Sequence, residues 1–360
     1  MGTPCRADDR SHLPPTLARM LGAWRQSQGK YDLRTEHLWR QAWQHSGRDQ
    51  DLLQLASFGR ELGKPLPARL IDVLVGRLNG LDDRFLPQAV ELLVETERLS
   101  PALIDSERMP RLISSAAASP PLGSWLQAQN TELSCDSGEL AQWHKKQPAR
   151  REAFADFLRD QENGICVVGN AANLLGSGLG RSIDGSSLVA RFNRFHSRRS
   201  LATDFGAHTD IWVCSPRFLP HAAAMLEGRD IPTWLVLSGP DARYRRPGRP
   251  VDWSCVRSLW AAGVEVVTLP LVIWRRMVDR LGAPPSAGLL LLAWMHDLLG
   301  GWDTLAIAGF GGAQPGRAYH HAGVHHRASG RHAWQAERRL LGHWQREGLR
   351  VLGSRPGAGD

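Results

Sequence analysis

The sequence predicts an α/β protein in which a mainly parallel seven-stranded sheet follows an all-α N-terminal region. After about residue 146, short apolar β-branched runs alternate with helical stretches, which is typical of parallel sheets. From Thr16 to about Leu112, Leu, Val and Ala recur at three- and four-residue spacings, as in amphipathic helices. The 360 residues exceed what one hydrophobic core usually serves, so we expect two domains.

We divide the chain into a frayed N-terminus (1–15), a helical domain (16–145) and a nucleotide-binding α/β domain (146–360). The helical part has no repeat strict enough to name, and docking, oligomerisation and support of the second domain stay open as its role. The α/β domain is predicted to have strands at about 165–169, 187–192, 210–215, 233–238, 264–269, 304–309 and 349–353, with helices at about 286–299 and 332–347.

A candidate ligand loop follows the first predicted strand. Gly169 has no side chain and lets a phosphate or a ribose approach the backbone, while Asn170 and Asn173 offer amide donors and acceptors. The second strand delivers Arg191 and Asn193 at its carboxyl end, where open α/β sheets bind ligands. The glycines do not form the G-x-G-x-x-G pattern of dinucleotide-binding proteins, because the next glycine run comes only at 176–180. An NAD-dependent oxidoreductase is therefore disfavoured.

Two further groups of residues lie towards the C-terminus. Ser286 is placed to cap a helix whose first turn, at Ala287 and Gly288, would present free backbone N–H groups to an anion. The strand that follows this helix ends at Gly309 and Phe310.

Histidines cluster between residues 320 and 332. His321 and His325 would share a helix face, but Gly323 lies between them and no carboxylate or cysteine is near, so we expect no metal site. His332 opens a predicted helix, where the helix dipole would keep its imidazole neutral, as a general base requires. Glu337 would not share a face with His332 in a regular helix and is expected to orient the loop instead.

Charge and cysteine content limit the function classes. The net charge of +8 lies almost wholly after residue 150, and every basic residue after Lys146 is arginine, which suits phosphate, carboxylate or an anionic membrane surface. No alternating basic and aromatic stripe indicates nucleic-acid binding. We expect no membrane span, because the longest apolar run, Ala287 to Met295, is too short, and no leader segment at residues 1–20. Five scattered cysteines without C-x-x-C spacing indicate a reducing compartment, a bacterial-type cytoplasm.

An ordered set of motifs resembles glycosyltransferase family 29, the sialyltransferases, as a bacterial-type member. The motifs are V-V-G-N-x-x-N-L at 167–174, V-x-R-F-N at 189–193, D-F-G-x-x-T at 204–209, P-S-x-G at 285–288 and H-x-x-x-x-E at 332–337. Tyr319 and His320 are similar to a further H-Y motif in reversed order, and His321 adds a second candidate. The family's secreted members pair a cysteine at the position of Cys166 with one where this chain has Trp302, so that bridge cannot form here.

The resemblance implies a GT-A-like variant of a Rossmann-like fold and an inverting, metal-independent transfer from a CMP-activated acidic sugar to a glycan or glycolipid hydroxyl. By resemblance, the donor would be bound at Gly169, Asn170, Asn173, Arg191, Asn193, Ser286, Ala287, Gly288, Gly309 and Phe310. His332 would act as the base, His320 or His321 would donate to the leaving phosphate, and Tyr319 and Glu337 would support them. No cofactor is expected.

CMP-sialic acid is the leading donor that the resemblance implies. CMP-Kdo is the alternative donor, and a catalytically inactive CMP-binding protein is the alternative from another class. The acceptor, the linkage and the oligomeric state are open, and peripheral contact with an inner membrane is compatible with the arginine excess.

Overall fold

The computed structural model describes residues 13–116, 119–195, 201–215, 231–239, 253–311 and 329–353. It confirms the α/β class, since the seven predicted strands form one sheet and every strand pair in it is parallel. The strands are β1 (Ile165–Val168), β2 (Leu188–Phe192), β3 (Ile211–Cys214), β4 (Trp234–Leu237), β5 (Glu265–Thr268), β6 (Leu305–Ala308) and β7 (Arg350–Val351).

The strand order is β5-β4-β3-β2-β1-β6-β7. The chain builds outward from β1 through β2 to β5 and then returns to the other side of β1 with β6. The succession therefore reverses between β1 and β6, and their carboxyl ends flank the crevice where open α/β sheets take up ligands. Every residue of β1, β2, β3, β4 and β6 is buried, which explains why these strands appear in the sequence as continuous apolar runs.

Helices precede the sheet and cover it. In the N-terminal region the described helices are α1 (Pro15–Ser27), α2 (Leu33–Ser46), α3 (Asp49–Glu61), α4 (Ala68–Arg77), α5 (Leu86–Val94), α6 (Met109–Ser115), α7 (Pro120–Ala128), α8 (Cys135–Lys145) and α9 (Gln147–Arg159). Those among and after the strands are α10 (Gly180–Asp184), α11 (Ala202–Phe205), α12 (Ser254–Ala261), α13 (Leu271–Leu281), α14 (Ala287–Leu299) and α15 (Trp334–Arg346).

The structure differs from the predicted helices in two places. Within the region predicted to be helical from Thr16 to about Leu112, α5 ends at Val94, and Glu97 adopts a left-handed backbone with φ 57°. The helix expected from residue 332 begins at Trp334, with Ala333 as its N-cap at ψ 70°. His332 therefore lies ahead of the helix and not inside its first turn.

The helical region packs directly against the sheet. Phe154 of α9 contacts the rings of Trp234 in β4 and Trp294 in α14, with centroids 5.1 and 5.0 Å away. The indole of Trp143 in α8 donates to the backbone oxygen of Val266 in β5 at 3.0 Å. Buried apolar side chains of α2 to α7 and those of the sheet form one continuous core. The division of the chain at residue 145 stays a prediction.

The helices and cysteines bear on two sequence expectations. No helix within the described ranges is both long and apolar enough to cross a lipid bilayer. None of the four cysteines in these ranges is in a disulfide. Cys166 is buried in β1, and burial raises the pKa of its thiol to about 12. Trp302 is buried and packs against Trp344 of α15, with ring centroids 5.0 Å apart.

Candidate functional site

The crevice between β1 and β6 is formed by two closely packed backbones. Gly169 follows β1 and donates to the carbonyl of Ala308 at 2.8 Å, and Ala171 donates to Gly309 at 3.0 Å. A Cβ on Gly169 would lie 2.4 Å from the Gly309 oxygen. Gly309 itself has φ 69°, a conformation that favours glycine. The lack of side chains lets the two backbones pack directly on each other at the point where the strand order reverses.

Two of the three predicted asparagines hold neighbouring loops. The Asn170 amide donates to the carbonyls of Phe192 and Arg194 at 3.0 and 3.1 Å, which links the end of β1 to the end of β2. The Asn193 side-chain oxygen accepts from the Ser215 backbone at 2.9 Å, which links β2 to β3. These amides shape the carboxyl edge of the sheet through side-chain to backbone hydrogen bonds.

Asn173 has a different position. It is exposed, and it lies against the backbone of Gly311 beyond β6, where a Cβ would come within 2.8 Å of the Asn173 side chain. Among the three asparagines it is therefore the one whose side chain faces solvent at the crevice.

Arg191 does not face the crevice. Its side chain is 2% exposed and donates to the carbonyls of His208 and Phe205 at 2.9 and 2.7 Å and to the Thr209 hydroxyl at 3.1 Å. Burial lowers the pKa of its guanidinium to about 10, so it stays charged at neutral pH. In the structure Arg191 holds the segment after α11, and a direct contact of its side chain with the donor stays a prediction.

Two aspartates, Asp204 and Asp184, connect the stretch at 176–184 to the segment at 204–208. The Asp204 carboxylate accepts from the backbones of Gly178 and Gly176 at 2.9 and 2.7 Å, and these hydrogen bonds lower its pKa. The Asp184 carboxylate accepts from Ala207 at 2.8 Å in the same way. The loop at 176–180 therefore has its backbone donors directed at a carboxylate of its own chain.

The N-terminus of α14 is a candidate anion site. Ser286 is its N-cap, and the first turn leaves the backbone N–H groups of Ala287 and Gly288 without intrahelical acceptors. Gly288 faces the ring of Phe310, and a Cβ there would lie 2.7 Å from that ring. The Phe310 ring in turn packs edge-on against Phe192 at 6.3 Å. Phe310 thus brings the helix N-terminus against the carboxyl edge of the sheet.

Glu337 fixes the cap of α14. Its carboxylate accepts from the backbone N–H and the hydroxyl of Ser286 at 2.7 and 2.6 Å. The side chain is 3% exposed, and burial raises its pKa to about 6, while the bonds from Ser286 act in the opposite direction. The sequence anticipated that Glu337 would orient a loop; in the structure its partner is the cap at Ser286.

His332 is half-buried, and one of its ring nitrogens lies 2.9 Å from the carbonyl oxygen of Pro284. A carbonyl can only accept, so Nδ1 carries the proton and Nε2 keeps its lone pair. Burial, with a smaller contribution from the charge of Arg331, lowers the pKa of His332 to about 4, against the hydrogen bond to Pro284. A pKa this low favours the neutral imidazole at neutral pH, and its largest cause is burial, where the sequence led us to expect the helix dipole.

His332 and Glu337, only five residues apart, therefore bond to the two ends of the segment from Pro284 to Ser286. The sequence did not single out the Pro284 carbonyl, because a backbone acceptor leaves no trace in residue type. Trp334 was also missed. Its indole donates to Ser329 at 2.8 Å and its ring lies edge-on to His332 at 5.1 Å.

Some predicted site residues fall elsewhere. Tyr319, His320 and His321 lie outside the described residues. Among the residues that are described, no three His, Cys, Asp or Glu side chains converge in a way that could hold a metal ion.

The family model for glycosyltransferase family 29 (sialyltransferase) matches residues 122–234. The matched stretch runs from α7 to the first residue of β4. It contains Gly169, the three asparagines of the site and Arg191. Ser286, His332 and Glu337 lie beyond it. This match indicates a glycosyltransferase, and over the matched stretch the chain is similar to the sialyltransferases.

Solved structures and curated proteins were also compared with the chain. The crystal structure of a mammalian sialyltransferase matches with 17% sequence identity and a TM-score of 0.38, over 63% of this chain and 88% of that chain. The crystal structure of a mammalian sialyltransferase in complex with Gal-β1-3GalNAc-ortho-nitrophenol gives the same identity and TM-score, over 63% of this chain and 89% of that chain. The comparison with curated proteins finds no match.

Proposed function

We propose that the protein transfers sialic acid from CMP-sialic acid to a hydroxyl group of an acceptor glycan, with inversion and without a metal ion. The observation that carries this proposal is the state of His332. A neutral imidazole with its proton fixed on Nδ1 offers Nε2 as a base, next to a capped helix N-terminus suited to an anion.

In the proposed reaction, His332 Nε2 takes the proton of the acceptor hydroxyl as that oxygen attacks the anomeric carbon. The bond between this carbon and the phosphate oxygen breaks on the opposite face, and CMP leaves with the electron pair. The backbone N–H groups of Ala287 and Gly288 stabilise the charge that grows on the phosphate. His320 or His321 would add a proton or a hydrogen bond there.

The proposed donor contacts follow from the position of each group. Gly169 and Gly309 bring the carboxyl ends of β1 and β6 together beside the proposed nucleotide site, and Asn173 supplies an exposed amide at the rim of the crevice. In this proposal the donor is not contacted directly by three of the predicted residues, which hold the surrounding loops in place: Asn170, Asn193 and Arg191. A GT-A-like classification of the sheet is part of the same proposal.

Metal independence rests on the chemistry of the donor. CMP is a monophosphate, and the tertiary anomeric carbon of such a sugar readily forms an oxocarbenium-like centre. A helix N-terminus and one or two imidazoles are then enough to stabilise the leaving group.

The first experiment measures CMP release from CMP-Neu5Ac and from CMP-Kdo in parallel, with EDTA present and mixed galactoside and lipid-A-core acceptors. We expect release from CMP-Neu5Ac alone. Release only from CMP-Kdo would change the donor and keep the mechanism. Release from neither donor, with no shift of the melting temperature by CMP, would refute the proposed function.

A pair of variants tests the base. In His332→Asn the side-chain amide can still donate to Pro284 but has no basic nitrogen, whereas His332→Ala loses both. Both variants are expected to lose about 10²- to 10⁴-fold in kcat, and CMP affinity should be kept in His332→Asn. Wild-type turnover in His332→Asn would show that His332 is not the base.

A further inference from the structure

The helical N-terminal region reaches the loop that carries His332. Residues 28–31, between α1 and α2, lie against residues 329–331. A Cβ on Gly29, which has φ 75°, would lie 2.4 Å from the Arg331 nitrogen. A Cβ on Gly330 would lie 2.6 Å from the Gln28 oxygen. The two backbones touch without side chains between them, although 300 residues of sequence separate them.

Arg331 joins this loop to the helical region through its side chain as well. Its guanidinium pairs with the carboxylate of Glu61, the last residue of α3, and the two side chains are only 15% and 14% exposed. The guanidinium also lies over the ring of Tyr31 at 5.0 Å and near that of Trp274 at 5.8 Å. Tyr31 is held in turn by stacking on Phe58 of α3, with ring centroids 5.4 Å apart.

We infer that Glu61, through Arg331, is a positioning residue for His332, and that the helical region thereby holds the proposed base in its working orientation. The inference rests on the proposed function. His332 follows Arg331 directly, and on its other side Glu337 fixes the chain to Ser286. The imidazole is therefore held between an anchor on the helical region and an anchor on the sheet domain.

The anchor is expected to matter for catalysis as well as for folding. The Arg331–Glu61 pair is mostly buried, so the loss of its carboxylate is expected to cost stability. A displacement of a reacting group by about 1 Å can cost about 100-fold in rate. If the upstream anchor is released, the Nδ1 hydrogen bond to Pro284 is left to hold the ring from that side.

The test compares Glu61→Gln with Asp49→Asn in the full chain. Asp49 lies in the same helix and pairs with Arg77 at 2.9 Å, so its variant also removes one carboxylate from α3. We expect Glu61→Gln to lower kcat about tenfold with the Kd for CMP close to that of wild type, and to lower the melting temperature because Arg331 loses its carboxylate. Asp49→Asn should keep the wild-type kcat.

A second measurement does not depend on activity. Proton–nitrogen correlation spectra of the imidazoles, assigned with His332→Asn, should show His332 in wild type with its proton on Nδ1. In Glu61→Gln we expect a mixture of the two tautomers, because the ring no longer keeps its place against Pro284. A role of Glu61 in folding alone would leave the tautomer unchanged.

Retention of both the wild-type kcat and the Nδ1–H tautomer in Glu61→Gln would overturn the inference. A fall in kcat that only follows a loss of CMP affinity and stability would overturn it too. If wild type transfers neither sugar, the proposed function fails. The His332 tautomer in wild type and in Glu61→Gln then tests the positioning role without an activity measurement. If Glu61→Gln does not fold, Arg331→Lys keeps the charge but loses the planar fork and stacking, and the same results are expected.

Discussion

The burial of His332 predicts a specific dependence of protein stability on pH. Its pKa is lowered to about 4 in the folded protein, against 6.5 for an ordinary histidine. The unfolded chain therefore takes up this proton first as the pH falls, and protonation favours unfolding. The contribution of His332 to stability is complete above about pH 6.5 and is lost between about pH 6.5 and 4.

The magnitude follows from the gap between the two pKa values. One unit corresponds to about 1.4 kcal/mol, so the full effect is about 3 kcal/mol and most of it is reached at pH 4.5. His332→Asn removes the titrating group and keeps a donor for Pro284. From pH 7.5 to pH 4.5, we expect the free energy of unfolding to fall by about 2 to 3 kcal/mol more in wild type than in His332→Asn.

The assay is guanidinium unfolding of both proteins at the two pH values, with His37→Asn as control. His37 is exposed on α2, and its variant controls for the loss of one histidine side chain. An equal difference between wild type and His332→Asn at pH 7.5 and 4.5 would refute the reasoning. It would mean that the His332 ring titrates alike in the folded and unfolded chains, and that burial does not keep it neutral.

Three further predictions concern the groups around His332. Gly169→Ala should lower the free energy of unfolding by about 2 kcal/mol or more, because its Cβ would meet a backbone oxygen at 2.4 Å; Gly138→Ala in α8, where nothing lies within 4 Å, should be neutral or stabilising in the same denaturation experiment. The folded-state pKa of Glu337 is raised from 4.5 to about 6, so the stability it contributes is complete below pH 4.5 and lost as the pH rises through 6. The free energy of unfolding of Glu337→Gln, relative to that of wild type, should therefore rise by about 2 kcal/mol from pH 4 to pH 7.5. The same difference between the two proteins at both pH values would contradict this. Arg191→Met leaves its acceptors in the segment after α11 unpaired and should cost about 2 to 3 kcal/mol in thermal or denaturant unfolding; a loss of CMP affinity without a loss of stability would instead support direct donor contact.

Five of the seven strands, β1 to β4 and β6, could be predicted because every residue in them is buried, and a buried parallel strand appears as an unbroken apolar run in the sequence. The position of the crevice also followed from the first strand, which stops at a glycine and an asparagine. The start of the last long helix was less well determined. Alanine fits inside or outside a helix, so the sequence does not show that Ala333 is the N-cap and that His332, which bonds to Pro284, lies ahead of the helix.

Residue types were a weaker guide to roles. Arg191 and the three asparagines are all suited to phosphate and sugar, yet the structure uses Arg191 and two of the asparagines, Asn170 and Asn193, to hold loops. A side chain that can bond a ligand can bond a backbone carbonyl equally well, and only the fold determines which of the two lies within reach.

The sequence by itself determined the α/β class, the strands and the motifs that identify the crevice, because these depend on local patterns of apolar and small residues. Only the tertiary structure decided how the site is held together. The tautomer of His332 depends on a carbonyl 48 residues away, and Arg331 meets its carboxylate 270 residues away. Contacts of this kind depend on which surfaces the fold brings face to face, and no local pattern encodes them.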